Sequence, residues 1–173
     1  FSCPVERISG VWCFERSAGQ RTTAHSTPGH LLHCHFEGTT ELQANGRNYT
    51  VTPNSVIYYH ESEEVTNYFV NDIMFYSIAF QAPNLAPLQL NRRVFKVEPD
   101  IVDIFKNIYN VYSSNPPDAA MQLYTMLLSL LPRIGFTGYG IREYHTAHEK
   151  LWFEVEAWIN SNHKYRASSR EIC

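Results

Sequence analysis

Two histidines separated by one residue are the part of this sequence best suited to chemistry. His33 and His35 flank Cys34 within a mostly apolar run. Because side chains alternate across a strand, both imidazoles would lie on one face. Such a pair can ligate iron, manganese or nickel when a carboxylate and a third histidine join it. Glu41 and His60 are the nearest candidates for those two positions.

The spacing of these residues does not favour a metal site. Glu41 lies one or two residues too far along the chain, and His60 is expected at the end of a strand. We therefore predict no cofactor and no metal, and name His33, His35 and His60 as the ligands if one is bound. Two other interpretations stay open for His33 and His35. They can form the polar wall of a pocket for an organic ligand, or be hydrogen-bonded histidines of the core or surface.

Composition and motifs exclude several classes of protein. Of the 173 residues, 44% are hydrophobic and 18% are charged, which is too apolar for a disordered chain. Apolar stretches fall short of the roughly 20 residues that span a bilayer, so we expect a soluble, cytoplasmic protein with no membrane partner. A net charge of -3 argues against a large basic surface for nucleic acid. Neither a nucleophile with supporting context nor a glycine-rich phosphate loop is present, so we predict no enzyme.

The residues that must position the histidine pair form short β-strands between turns. Asn45-Gly46 is the strongest hairpin signal, because a type I′ turn needs positive φ at both central residues. Short strands at such spacing favour a sandwich or a small barrel. The predicted strands are Val11–Arg16, Leu31–Phe36, Thr40–Ala44, Arg47–Thr52, Ser55–Tyr59, Val65–Asn71 and Ile73–Gln81.

The hydrophobic period changes to that of helices after Pro87. Apolar residues from Ile101 to Tyr112 recur every three or four residues and predict one helix. Asn115-Pro116-Pro117 ends it, and a second helix is predicted from Asp118 to Leu131. A third, amphipathic helix is predicted from Ala147 to Ser161. The fold class is therefore α+β, with a β body followed by a helical pair and a C-terminal amphipathic helix.

A further helix is predicted at the end of the chain. Ser168 and Glu171 form a capping box, the usual start of a helix. The chain ends two residues later, at Cys173. We therefore expect that the natural protein continues.

The order of these elements resembles the AraC/XylS-type transcription regulators. The run from Leu31 to Tyr59 resembles their N-terminal cupin-like domain, with Asn54-Ser55 standing where Gly-Asp is usual. Residues 75–80, FYSIAF, look like the family's late barrel strand, and residues 151–173 resemble the start of its DNA-binding domain. The residues that match the pattern of the first run are Gly38, Asn45, Gly46, Tyr49 and Pro53.

The resemblance implies a fold, a function and partners. Residues 1–90 would form a cupin-like small β-barrel, a double-stranded β-helix or jelly roll. Residues 91–146 would form the helical dimerisation region and linker, and residues 147–173 the start of a truncated helix-turn-helix domain. Such a chain is the effector-binding and dimerisation part of a bacterial regulator. It senses a small molecule, forms a homodimer and reaches DNA only through the missing C-terminal domain.

The resemblance also implies which residues bind the effector. Carried onto matched positions, it points His33, His35 and Glu37 into the barrel, with Phe75 and Ser77 on the late strand. Trp12, with Phe14, could stack on a sugar ring or another planar group. Sugars, aromatic compounds such as aromatic acids, and fatty acids remain open as ligands. The alternative is that this face is solvated and that the core is formed by Leu32, Cys34 and Phe36.

Leucines of the second helix are the predicted dimer contacts. Leu123, Leu127, Leu130 and Leu131 form a ridge at three- and four-residue spacing that could pack against a second copy. The alternative is intramolecular, with the same leucines covering the barrel. Both can hold on different faces of the helix.

Two other functions are weighed against the regulator. One is a cupin metalloenzyme, an oxygenase or isomerase, that uses the strand carrying His33 and His35. The other is a bare dimerisation module whose barrel is filled with its own side chains. The dimerisation module would show no cavity.

Overall fold

Tight turns divide the N-terminal part of the chain into short strands that form two antiparallel sheets. The computed structural model describes residues 3–89 and 92–136. In these residues the first sheet has the strand order β1-β8-β3-β6-β9 and the second β2-β7-β4-β5. The strands are β1 Arg7–Arg16, β2 Arg21–His25, β3 His30–Glu37, β4 Thr40–Ala44, β5 Arg47–Val51, β6 Ser55–His60, β7 Glu64–Phe69, β8 Ile73–Gln81 and β9 Val94–Lys96.

The predicted hairpin is confirmed. β4 and β5 pair in register from Thr40 with Val51 to Ala44 with Arg47. Asn45 and Gly46 connect them with φ angles of 51° and 70°. These are the two positive φ angles that a type I′ turn requires.

Two strands lacked a signal in the sequence. β2 is polar and largely exposed, so neither its composition nor its alternation indicated a strand. β9 is only three residues long. Both are held by tertiary pairing, β2 with β7 and β9 with β6.

The two sheets face each other and enclose an apolar layer. Leu31 and Tyr59 of the first sheet pack with Leu42, Val51 and Val65 of the second. This is the cupin-like barrel that the fold class predicted.

Two helices cover the opposite face of the first sheet. α1 is Pro99–Ser114 and α2 is Ala119–Arg133. Asn115, with φ 46°, ends α1 in the left-handed conformation. Side chains of both helices share one core cluster with Leu32 and Cys34 of β3. The first sheet is therefore buried on both faces, which agrees with the predicted barrel and helical pair.

The predicted C-terminal elements lie outside the described residues. These are the amphipathic helix from Ala147 to Ser161 and the capping box at Ser168. The predicted domain boundaries at 90/91 and 146/147 stay predictions. Among the described residues, neither helix has the length and hydropathy to cross a bilayer.

Candidate functional site

A cavity of about 530 Å³ lies between the two sheets. The first sheet contributes side chains from β1, β3, β6 and β8, and the second from β2 and β7. Five of the six predicted ligand-binding residues line it: Trp12, His33, His35, Phe75 and Ser77. The barrel is thus not filled by its own side chains, which disfavours the bare dimerisation module.

Strand register brings these side chains to one face. Phe75 of β8 pairs with Phe14 of β1 on one side and with His35 of β3 on the other. Ser77, two residues further along β8, pairs with Trp12 and His33 in the same way. Residues directly opposite each other in a sheet share a face. The two rows therefore form one continuous wall of the cavity.

Small residues leave the space in front of this wall open. Ser77 lies at the centre of its row, and the next row contains Gly10 opposite Ala79. The indole of Trp12 lies over Gly10, in the place that a Cβ atom would occupy. A larger side chain at Ser77 would fill the cavity, and a Cβ atom at Gly10 would displace the Trp12 ring.

The wall is mainly aromatic. The ring of Phe75 lies 5.2 Å from that of Phe14 and 4.8 Å from that of His35, measured between centroids. His35 stacks on Phe75 with an interplanar angle of 7°. The His33 ring lies 4.9 Å from Phe75 and meets Tyr59 edge-on at 5.0 Å. These rings pack on one another and give the cavity an apolar wall.

The two cavity histidines are held in the neutral form. Burial lowers the pKa of His35 to about 4. Burial, followed by the charges of His35 and Arg16, also lowers the pKa of His33. A neutral imidazole offers one hydrogen-bond donor and one acceptor. At neutral pH these rings can therefore recognise polar groups of a ligand without acting as its counter-ions.

Two buried polar atoms near the cavity have no hydrogen-bond partner among the described residues. They are Nδ1 of His35 and the hydroxyl of Tyr59, and both residues line the cavity. Buried polar groups in proteins are almost always paired, since an unpaired one costs about 1–3 kcal/mol. Both atoms are without exposed surface, so a molecule in the cavity could form hydrogen bonds with them once the side chains turn.

Arg16 adds a cation at the edge of the cavity. Its guanidinium lies 4.9 Å from the centroid of the Phe14 ring and donates a hydrogen bond of 2.7 Å to the backbone carbonyl of Glu15. Arg16 and Thr22 also line a more open groove of about 550 Å³ beside the cavity. No aspartate or glutamate is among the residues that line the cavity itself.

The structure corrects the placement of Glu37. The pairing of β3 with β8 shifts register between His35 and Glu37, as in a β-bulge. Glu37 is exposed and does not line the cavity. A strict alternation along β3 put it on the inner face, and the bulge is the reason that this prediction is wrong.

The three histidines considered for a metal are not brought together. Tyr59, next to His60, points into the cavity, whereas the His60 ring lies 4.8 Å from His30, on the helix side of the sheet. Glu41 is exposed and accepts hydrogen bonds from Thr50. In the part of the chain that the structure describes, no group of three histidine, cysteine or acidic side chains could hold a metal ion. The metalloenzyme alternative lacks its third ligand there.

The predicted dimer leucines lie in the core of this chain. Leu127, Leu130 and Leu131 have no exposed surface, and Leu123 is 8% exposed. They pack with residues of α1 and of the first sheet. This is the intramolecular alternative, and it corrects their predicted role as a contact surface, because buried side chains cannot meet a second copy.

Sequence reasoning missed part of the site. Arg16 continues the alternation of Trp12 and Phe14 along β1, and this signal could have identified it. Asn67 of β7 and Thr22 of β2 also line the cavity. Neither strand carries a pattern that indicates a binding wall, because only the facing of the two sheets makes them one.

The fold is similar to that of solved proteins. A ligand-free variant of ToxT from Vibrio cholerae strain SCE256 is 12% identical to this chain, with a TM-score of 0.64. The match covers 94% of this chain and 68% of the ToxT chain. ToxT bound to (E)-4-(8-methylnaphthalen-1-yl)but-3-enoic acid, also from Vibrio cholerae, is 9% identical with a TM-score of 0.62, over 95% and 69%. ToxT with bound unsaturated fatty acid is 11% identical with a TM-score of 0.57, over 98% and 69%. The chain thus spans about two thirds of the length of these proteins.

Comparison by sequence identifies the family. No curated protein matches the chain. A family model described as the AraC-like ligand binding domain matches residues 10–131. That range contains both walls of the cavity and nearly all of the helical pair. The chain therefore belongs to the family of AraC-like ligand binding domains.

Proposed function

We propose that this chain is the effector-binding part of a bacterial transcription regulator. A small organic molecule would enter the cavity between the sheets and alter the DNA binding of a domain outside this sequence. The observation that carries the proposal is the cavity of about 530 Å³, with its aromatic wall and two unpaired buried polar atoms. Sites for small molecules commonly combine an apolar lining with a few polar groups.

The structural neighbours support this proposal through their fold. ToxT has been solved with an unsaturated fatty acid and with a methylnaphthalenyl butenoic acid. A protein of similar fold is thus known to bind small organic molecules. Acting on DNA, the regulator would work in the cytoplasm and need no enzymatic activity.

The first sheet provides a route from the ligand to the helices. Along β3, His33 and His35 line the cavity, whereas Leu32 and Cys34 belong to the core shared with α1 and α2. A ligand that shifts β3 by a fraction of an ångström therefore moves the surface on which the helices pack. Because packed cores resist gradual deformation, such a shift would favour one of two helix positions.

We also propose that the regulator acts as a homodimer, as the family resemblance implies. The buried leucines of α2 would support the interface by fixing the helix on the barrel. Met121, which is 75% exposed on α2, lies on the outward side and would be the nearer contact. Sedimentation equilibrium of the chain and of Met121→Glu measures this: the variant is expected to dissociate, and an unchanged dimer would assign the interface elsewhere.

Binding in the cavity can be tested by filling it. Ser77 is 1% exposed at the centre of the cavity wall, so Ser77→Leu should occupy the space of a ligand. We expect sugars, aromatic acids or fatty acids to include one compound that raises the melting temperature of the wild-type chain. The Ser77→Leu variant should lose that rise.

The matched control is Ser113→Leu, the same substitution at an exposed position of α1. It should bind like the wild type. If Ser77→Leu kept full affinity for the compound, binding would lie outside the cavity and the proposal would be wrong. In a protein that includes the DNA-binding domain, the same compound should change affinity for promoter DNA.

A further inference from the structure

We propose that the effector is an aromatic carboxylate, whose carboxylate pairs with Arg16 and whose ring packs against Phe14 and Phe75. This inference rests on the proposed function, since it names the ligand class of the same cavity. It follows from the charge, the shape and the unmet hydrogen bonds of the site.

The charge of the lining selects an anion. Arg16 is the one lysine or arginine among the residues that line the cavity, and no acidic side chain lines it. His25 also lines it, but its Nδ1 bonds the Ser62 carbonyl and its Nε2 lies 3.9 Å from Glu64. Among the described residues, no carboxylate forms an ion pair with Arg16. Its guanidinium can therefore take a carboxylate in the bidentate geometry that suits both groups.

The position of Arg16 places the body of the ligand on the aromatic wall. Arg16 and Phe14 lie two residues apart on β1, so their side chains lie side by side on one face, about 7 Å apart along the strand. Because the Arg16 guanidinium lies over the Phe14 ring, a carboxylate on Arg16 would bring an attached ring beside Phe14 and towards Phe75. His35 stacks face to face on Phe75 and is 2% exposed, so it fixes the orientation of the Phe75 ring.

The far end of the wall provides the polar contacts. His35 Nδ1 and the Tyr59 hydroxyl are buried without partners among the described residues. A hydroxyl or carbonyl substituent on the ring would satisfy them if the His35 and Tyr59 side chains turn towards the cavity on binding.

The test compares an acid with its uncharged amide. 2-Naphthoate and 2-naphthamide have the same ring and nearly the same shape, so the main difference between them is the negative charge of the acid. Isothermal titration calorimetry with the 173-residue chain should show tighter binding of the acid by about 10- to 100-fold, the ratio expected for a charge-assisted hydrogen-bonded pair. Decanoate tests whether the ring is needed and should bind more weakly than 2-naphthoate.

Variants of Arg16 identify the receptor for the carboxylate. Arg16→Gln should bind the acid and the amide equally, and Arg16→Lys should keep most of the preference for the acid. Arg21→Gln is the matched control, because Arg21 lines the open groove but not the cavity. It should bind as the wild type does.

The outcomes separate this inference from the proposed function. If the amide binds as tightly as the acid, or Arg16→Gln still prefers the acid, the assignment of Arg16 is wrong while a ligand in the cavity remains. Tighter binding of decanoate or of a sugar overturns the aromatic class alone. If neither naphthalene compound binds, the inference is overturned, and the filling experiment at Ser77 decides the proposed function by itself.

Discussion

At the scale of residues, two buried histidines of the first sheet are held in the neutral form. His30, on the helix side of the first sheet, is 2% exposed and contacts the Tyr58 hydroxyl at 2.8 Å and the Ala82 carbonyl at 3.2 Å. Burial, with a smaller effect of His60, lowers the pKa of His30 to about 4. His35, on the cavity side, also has a pKa of about 4, through burial alone.

These pKa values predict a loss of stability in acid. Unfolded histidine has a pKa of about 6.5, so the unfolded chain binds more protons than the folded chain between pH 6.5 and 4. The free energy of unfolding is fully retained above pH 6.5 and should fall towards pH 4, by up to about 1.4 kcal/mol per pH unit for each histidine. Urea denaturation at a series of pH values measures this slope.

Two histidine variants provide the controls for this prediction. His35→Gln removes one of the buried groups and should flatten the slope. His25→Gln changes an exposed histidine and should leave it unchanged. A free energy of unfolding that is constant from pH 7 to pH 4.5 would contradict the buried neutral histidines.

At the scale of elements, the turns contribute differently to the barrel. Gly38, between β3 and β4, and Gly46, between β4 and β5, both have positive φ, at 75° and 70°. A Cβ atom on Gly38 would meet the backbone carbonyl of Asp72, whereas one on Gly46 would have nothing within 4 Å. The first turn is thus packed against the loop between β7 and β8, and the second is free.

Alanine substitutions of these glycines should separate strain from crowding. Gly46→Ala should lower the free energy of unfolding by about 1 kcal/mol, the cost of a side chain at positive φ alone. Gly38→Ala carries the same cost and also displaces the loop at Asp72, so it should reduce the free energy of unfolding by clearly more. Chemical denaturation of the two variants measures the difference. Equal losses would mean that the loop at Asp72 yields freely.

At the scale of the whole molecule, the first sheet separates the ligand cavity from the helical core. Its inner face carries the aromatic wall, and its outer face packs on α1 and α2. The helices and the barrel therefore share one set of strands. A change that moves these strands on one side of the sheet would therefore also alter packing on the other.

Truncation of one buried leucine should test this shared core. Leu127 is fully buried in the cluster between α2 and the first sheet, so Leu127→Ala should lower the free energy of unfolding by about 2–5 kcal/mol. Asn107→Ala, at an exposed position of α1, should change it by about 0.5 kcal/mol or less. A small loss for Leu127→Ala would mean that α2 is not part of the core. The free energies are obtained by denaturation with urea.

The sequence alone determined the local elements of this protein. Positive φ at Asn45 and Gly46 depends on residue type, and the strands and helices with a clear hydrophobic period were predicted to within a few residues. The order of barrel and helical pair followed from these local signals, and the resemblance of residues 31–59 to a known family indicated the rest. Five of the six predicted ligand residues also lie in the cavity wall, because strict alternation holds along most of β1, β3 and β8.

Only the tertiary structure decided which face of β3 meets which partner. Both sets of side chains on β3, the histidines and the apolar set with Leu32, are largely buried, since the second sheet covers one face and the helices the other. Alternation identifies two faces but does not say what covers each. The bulge that exposes Glu37, the burial of the α2 leucines and the polar strand β2 are likewise set by contacts between residues distant in sequence. Local periodicity reports the exposure of one element, whereas a cavity exists only where several elements meet.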